Sequence, residues 1–182
     1  MAIEFDPQIP FVEQHQKRSE LCWAAVAVSV KRHFDPTSTM RQCEIVRVLL
    51  GISGPCCIGL DDVLQACNKP FSLGEALVHE SVNHLAAGTA AVPNPKNDGV
   101  AVTFAEIQAQ IDNKLPVCIF IQWPGKSVGH FILISGYKES GGNQYLFVND
   151  PLYGSGPQPY QRVVSNYHSE HGTWQCTYRL KV

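Results

Sequence analysis

The stretch from Pro116 to Asp150 restricts the possible folds most. It holds three runs: PVCIFIQW (Pro116–Trp123), GHFILISGY (Gly129–Tyr137) and QYLFVND (Gln144–Asp150). All three are rich in β-branched and aromatic residues and are punctuated by Gly, Pro and Asn, which reads as strands. SGGN, Ser140 to Asn143, is a good hairpin connection between the last two. Two further strands are expected at Tyr160–Val164 and Thr173–Lys181. The first half reads differently. Cys22, Ala25, Val26, Ser29 and Val30 recur at helical spacing, with Ser19 as the expected N-cap. A second helix carries Ile45, Val48 and Leu49, capped by Ser38 or Thr39 and stopped at Gly51. Leu60–Asn68 and Leu73–Leu85 read as a third and a fourth. Ala86–Gly99, AAGTAAVPNPKNDG, is turn-rich and reads as a connection. Thr103 and Glu106 make a T-x-x-E capping box for a helix through about Asn113. Helices first, then an antiparallel sheet, is an α+β layout.

Several function classes are disfavoured by composition. Net charge is −2 and the basic residues are scattered, so no phosphate-tracking surface forms and nucleic acid is not an expected partner. No apolar run is long enough to span a bilayer. With 182 residues, 45% of them hydrophobic, one domain with an ordinary core is expected. MAIEFDPQIP lacks the basic-then-apolar layout of a secretory signal. That fits a secreted, effector-like protein without a classical leader, or alternatively a cytoplasmic one.

Seven cysteines leave at least one thiol without an intramolecular partner: Cys22, Cys43, Cys56, Cys57, Cys67, Cys118 and Cys176. One reactive thiol plus three disulfides, or plus six buried thiols, accounts equally for the count. The Cys43, Cys56–Cys57, Cys67 cluster lacks paired C-x2-C elements, which disfavours zinc; no metal or cofactor is expected. Cys22 differs from the others in its place. It stands in SELCWAA at an expected helix start, where unpaired N–H groups and the positive end of the macrodipole favour a thiolate. Only the thiolate attacks carbonyls.

Three other residues complete a possible acyl-transfer set. Gln16, six positions before Cys22, either is a solvated loop residue or offers its amide N–H beside the Cys22 backbone N–H as an oxyanion hole. His130 opens a strongly apolar strand; it is either half-buried at a strand end or a base facing the helix start across a cleft. Asp150, twenty residues on, is either a turn former before Pro151 or the carboxylate that accepts the imidazole Nδ1–H. Asn149 is its rival, and strand alternation allows only one of the two to serve.

Q-x5-C-W-A, then G-H-F-x-x-x-x-G-Y, then V-N-D-P, in this order, resembles the papain-like cysteine peptidases. Compact bacterial branches are the nearest in pattern: bacteriocin-leader peptidases, staphopains and avirulence-type effector proteases. The resemblance runs from about Gln16 to Pro151. It implies Cys22 as nucleophile, Gln16 as oxyanion donor, His130 as general base and acid, and Asp150 as the orienting residue. Asp in the last role is the bacterial usage; plant and lysosomal relatives use Asn. It further implies a single two-lobed domain over 1–182, helical to about residue 99 and β from about 100, with the cleft between the lobes. The C-G-S-C-W pattern of plant and lysosomal relatives is missing, since Glu20 and Leu21 stand where small residues would be. The expected activity is hydrolysis of peptide bonds in protein substrates, host or target-cell proteins included, by a monomer. The alternatives are a glutamine deamidase or transglutaminase, and an inactive binding module.

Overall fold

The structure is a computed structural model that describes residues 4–12, 14–59, 62–80, 84–85 and 101–180. Its centre is a six-stranded, fully antiparallel sheet: β3 (His84–Leu85), β4 (Val117–Gln122), β5 (Gly129–Ser140), β6 (Asn143–Asp150), β7 (Gly154–Pro159) and β8 (Thr173–Leu180). The spatial order is β3-β8-β4-β5-β6-β7. A second sheet pairs only β1 (Cys57–Ile58) with β2 (Asp62–Val63). Mixed helices and antiparallel strands agree with the α+β expectation and with a papain-like peptidase fold.

Alternation along the strands sends side chains to two cores. Cys118, Phe131, Leu133, Cys176, Tyr178 and Leu180 face one way, against α1 (Cys22–Phe34), α2 (Gln42–Leu49) and α3 (Leu73–His79). Val117, Ile119, Ile121, Ile132, Ile134 and Val148 face the other way, against α4 (Phe104–Asp112) and α5 (Tyr160–Ser165). Trp174 and Cys176 have the same parity yet lie in different cores. The β4–β8 register supplies the reason: Phe120 pairs with Cys176 and Ile121 with Trp174, so Gln175 is an extra residue that turns the strand over.

Helix α1 is buried on all sides from Cys22 to Val30, more than the expected stripe. Ala24, Ala25 and Ala27 keep it thin enough to lie between the sheet and the other helices. Its last turn carries Lys31, Arg32 and His33, which suits the negative end of the dipole. Gly51 does end α2, at φ +61, in a Schellman arrangement. The Ile52 N–H reaches the Arg47 carbonyl at 3.0 Å and the Gly51 N–H reaches Val48 at 3.1 Å. Thr103 and Glu106 form the expected box ahead of α4. Gly141 and Gly142, both with positive φ, make the hairpin turn that SGGN suggested.

Other expectations need correction. Leu21, not Ser19, precedes α1, and Arg41, not Ser38 or Thr39, precedes α2, where Glu44 accepts the Arg41 N–H at 2.9 Å. The third expected helix is instead β2 followed by a single 3₁₀ turn, Gln65–Cys67; residues 60 and 61 lie outside the described ones. The fourth ends at His79. Tyr160–Val164 is helical, not a strand: Pro159 presets the entry and only Val163 is buried, so β-branching did not decide it. The actual strand there is β7, GSGPQP, which has no apolar pattern. It is an edge strand, where proline is tolerated. The connection at 86–99, and with it the expected lobe boundary, lies outside the described residues.

Candidate active site

Cys22 is the first residue of α1, and the first helical bond is the Ala25 N–H to the Leu21 carbonyl at 3.0 Å. The Cys22, Trp23 and Ala24 N–H groups therefore precede the intrahelical ladder. The thiol is buried but lines a cleft of about 260 Å³, whose walls include Trp23, Pro70, Phe71, Phe120, Val128 and Phe131. Trp23 is fully buried and anchors this end of the helix by donating its indole N–H to the Lys69 carbonyl at 3.0 Å.

His130 enters from the sheet. It follows Gly129 at the start of β5, where a Cβ on Gly129 would run into the Phe120 ring and the Ile121 carbonyl. Only glycine lets β5 lie this close to β4. Leu133 pairs with Asn149, so Asp150 lies one step past the ladder and His130 reaches it diagonally rather than from directly opposite. The His130 Nε2 to Asp150 Oδ1 distance is 2.7 Å, between side chains that are 4% and 1% exposed. This corrects the expected ring orientation: Nε2, not Nδ1, meets the carboxylate. With Nε2 taken, Nδ1 is the ring nitrogen left for Cys22, whose interaction with the ring helps to raise the His130 pKa. Trp123 lies nearly parallel to the imidazole, with centroids 6.1 Å apart and planes at 20°.

Charge follows from the geometry. Burial alone would lower the His130 pKa. The Asp150 hydrogen bond, the Cys22 hydrogen bond and the two facing charges outweigh it and raise the pKa from 6.5 to about 9. Burial likewise works against an ionised Asp150, yet its carboxyl is held below the ordinary value by His130, the Tyr167 hydroxyl and the Tyr153 N–H. Oδ1 accepts the Leu152 and Tyr153 N–H groups at 2.8 and 3.0 Å, and Oδ2 accepts the Tyr167 hydroxyl at 2.7 Å. Asp150 is thus both of its sequence readings together: it forms the turn into β7 and it holds the imidazole. Asn149 points the other way and donates its amide to the Ser135 hydroxyl at 2.6 Å.

Gln16 is close by but engaged. Its backbone N–H reaches the Pro151 carbonyl at 2.9 Å, which ties the loop before α1 to the Asp150 corner. Its side-chain amide gives its two N–H bonds to the Arg18 and Ser19 carbonyls, each at 3.0 Å. Its Oε1 is buried with no hydrogen-bond partner among the described residues. Tyr167 is the residue that sequence reasoning missed. It lies in the polar stretch SNYHSEHG, and nothing in its spacing from His130 or Asp150 marks it.

Four of the other cysteines are paired, Cys43 with Cys57 and Cys56 with Cys67. A third disulfide is absent among the described residues: Cys118 and Cys176 are buried and in no disulfide, and burial pushes the Cys118 pKa far up. Those two are packing residues. No His, Cys, Asp and Glu group among the described residues is arranged to hold a metal. No helix among them is long and apolar enough to cross a membrane.

No curated protein matches the chain significantly. The model of the Peptidase_C39 like family matches residues 71–182, well over half of the chain, a span that contains His130 and Asp150 and stops short of Cys22. Because that match covers more than half of the chain, the chain belongs to the Peptidase_C39 like family, among the papain-like cysteine peptidases.

Proposed function

We propose that this cysteine peptidase hydrolyses peptide bonds through Cys22, His130 and Asp150, with Gln16 and the Cys22 N–H holding the oxyanion. One observation carries the reading: the buried series Cys22, His130, Asp150, in which Asp150 takes Nε2 of the ring and Cys22 interacts with the same imidazole. A histidine whose pKa is raised to about 9 keeps its proton at neutral pH, and the thiol beside it serves as the thiolate. The sulfur attacks the scissile carbonyl carbon, and its electron pair moves onto oxygen. As the tetrahedral intermediate collapses, Nδ1 of His130 gives its proton to the departing amine. His130 then takes a proton from water, hydroxide attacks the thioester, and Cys22 leaves as thiolate. Asp150 keeps the ring in place throughout.

Gln16 can serve only by exchanging one bond. When the oxyanion forms, one amide N–H leaves the Ser19 or Arg18 carbonyl for it; hydrogen bonds of this kind tighten only in the reacting complex. The cleft beside Cys22 is lined by Trp23, Phe71, Phe120 and Phe131, which suits an apolar side chain next to the scissile bond. Two disulfides suit an oxidising compartment and support action after export.

The test is labelling by an epoxide that traps thiolates, at pH 6, with peptide mapping, alongside turnover of a protein substrate. One adduct on Cys22, lost in His130→Ala, is expected. Cys22→Ala is expected to lose all cleavage while keeping its thermal transition. A product one mass unit heavier without chain cleavage would replace hydrolysis by deamidation. Labelling spread over several cysteines would remove Cys22 from the mechanism.

A further inference from the structure

We propose that the segment 42–69, closed by its two disulfides, positions the Cys22 loop for reaction, with Asn68 as the principal positioning residue. The inference rests on the reading of Cys22 as nucleophile and concerns how that site is held.

The His130 end of the site is built into the long strands β5 and β6. The Cys22 end is not. Cys22 follows an irregular loop, residues 14–21, that has no ladder of its own. The Ser29 hydroxyl accepts the Gln14 N–H at 3.2 Å, and three further side-chain clamps join the loop to one short stretch of chain. Gln42 accepts the Lys17 N–H at 3.0 Å and donates to the His15 carbonyl at 2.7 Å. Arg18 reaches out to the Val63 carbonyl at 2.7 Å and the Asp62 carboxylate at 3.0 Å. Asn68 accepts the Glu20 N–H at 2.9 Å and donates to the Ser19 hydroxyl at 3.0 Å. Asn68 thus grips Ser19 and Glu20, the two residues immediately before the Leu21–Cys22 start of α1. It also fixes Ser19, whose carbonyl orients the Gln16 amide.

The described residues of that supporting stretch hold little regular structure to stiffen it: an eight-residue helix, two strands of two residues and one 3₁₀ turn. The disulfides supply the stiffness. Cys56 and Cys57 are adjacent and bridge in opposite directions, to Cys67 and to Cys43. Each outer cysteine is the immediate neighbour of a loop-holding residue, Cys43 of Gln42 and Cys67 of Asn68. The two cross-links therefore fix the spacing between the two side chains that grip the loop at its ends. Opening each disulfide takes two electrons and two protons from a thiol reductant, which leaves as its own disulfide, and returns two thiols. The site accordingly needs Cys22 reduced and Cys43, Cys56, Cys57 and Cys67 oxidised.

The test measures the rate of Cys22 alkylation by iodoacetamide at pH 6 in the full chain, mapped by peptide, together with the thermal midpoint. Thiolate reactivity at that pH depends on the Cys22–His130 geometry, whereas general stability does not set it. Asn68→Leu is expected to slow the labelling by roughly tenfold to a hundredfold, the scale for a small misplacement of a reacting group. Asn68→Asp keeps the acceptor for the Glu20 N–H and replaces the donor to Ser19 by an oxygen to which the Ser19 hydroxyl can turn and donate, and is expected to restore most of the rate. Replacing Cys43, Cys56, Cys57 and Cys67 by Ala is expected to reproduce the loss. Asn68→Leu or the four-cysteine variant labelling at the wild-type rate, whatever its midpoint, overturns the positioning role. If the four-cysteine variant does not fold, the Asn68 pair decides alone. Wild-type Cys22 that labels no faster than its His130→Ala variant overturns the function reading, and the positioning role with it.

Discussion

Asp150 concentrates the energetics of the site on one side chain. A fully buried carboxylate is tolerated only when its oxygens are satisfied, and here His130, Tyr167 and two backbone N–H groups do so. Asp150→Asn exchanges an ionised acceptor for a neutral amide and is expected to depress kcat far more than Asn149→Ala. The reverse ranking in turnover would move the orienting role to Asn149. Asn149→Ala is a stability change instead, since it breaks buried bonds to Ser135 and Ser155; about 1–3 kcal/mol in urea unfolding is expected. Tyr167→Phe leaves Oδ2 one donor short. Asp150 then protonates more readily, so the acid limb of the activity–pH profile moves up, with a stability loss of about 1–3 kcal/mol. An acid limb that stays where it is in Tyr167→Phe would show that the phenol does not support the carboxylate.

Among the elements, β5 and α1 carry the site from opposite sides, and each depends on one local feature. In β5 it is Gly129. The obstacle to a Cβ there includes the Ile121 carbonyl, a main-chain atom that cannot swing aside. Gly129→Ala is expected to cost about 1–3 kcal/mol and to displace His130, which lowers Cys22 labelling at pH 6. Unchanged urea stability and labelling would mean that the strand start shifts freely. In α1 the feature is a start without a side-chain cap: Leu21 has none to offer, and the loop before it is held from outside. The expectation of Ser19 as the cap failed because Ser19 is bound to Asn68, forty-nine residues away. A hydropathy pattern cannot contain such a partner. β7 escaped for a related reason: an edge strand of Gly, Ser, Pro and Gln forms because β6 offers it a ladder, not because its own residues prefer extension.

At the scale of the molecule, the site's charges give stability a pH dependence. His130 titrates near 6.5 when unfolded and about 9 when folded. Its contribution is therefore complete below pH 6.5 and is lost as pH rises through about 9. Asp150 is lowered from 3.8, so its contribution is present above that value and is lost as pH falls below it. Between these limits the buried pair stabilises the fold most. Wild-type protein is expected to be more stable at pH 6 than at pH 9.5, by on the order of 3 kcal/mol. His130→Gln is expected to flatten that difference in urea melts. Equal slopes for the two proteins would detach the pH dependence from His130. Turnover should also fall above pH 9, as His130 loses the proton that the leaving amine needs.

Much of this was present in the order of residues alone. Helices precede strands, SGGN makes a hairpin, Gly51 stops a helix, and Thr103 with Glu106 starts another; each depends on neighbours a few positions apart. Gln16, Cys22, His130 and Asp150 stood out as types suited to acyl transfer, and alternation already set Asp150 and Asn149 on opposite faces. What needed the folded chain was everything that depends on distant residues meeting. Which ring nitrogen faces the carboxylate follows from a diagonal between β5 and β6. Tyr167 matters because a loop after α5 returns beneath Asp150. Cys43, Cys56, Cys57 and Cys67 pair as they do because α2, the small hairpin and the 3₁₀ turn pack together. Local preference acts over a few bonds, while burial and hydrogen bonding act between whatever the fold brings into contact.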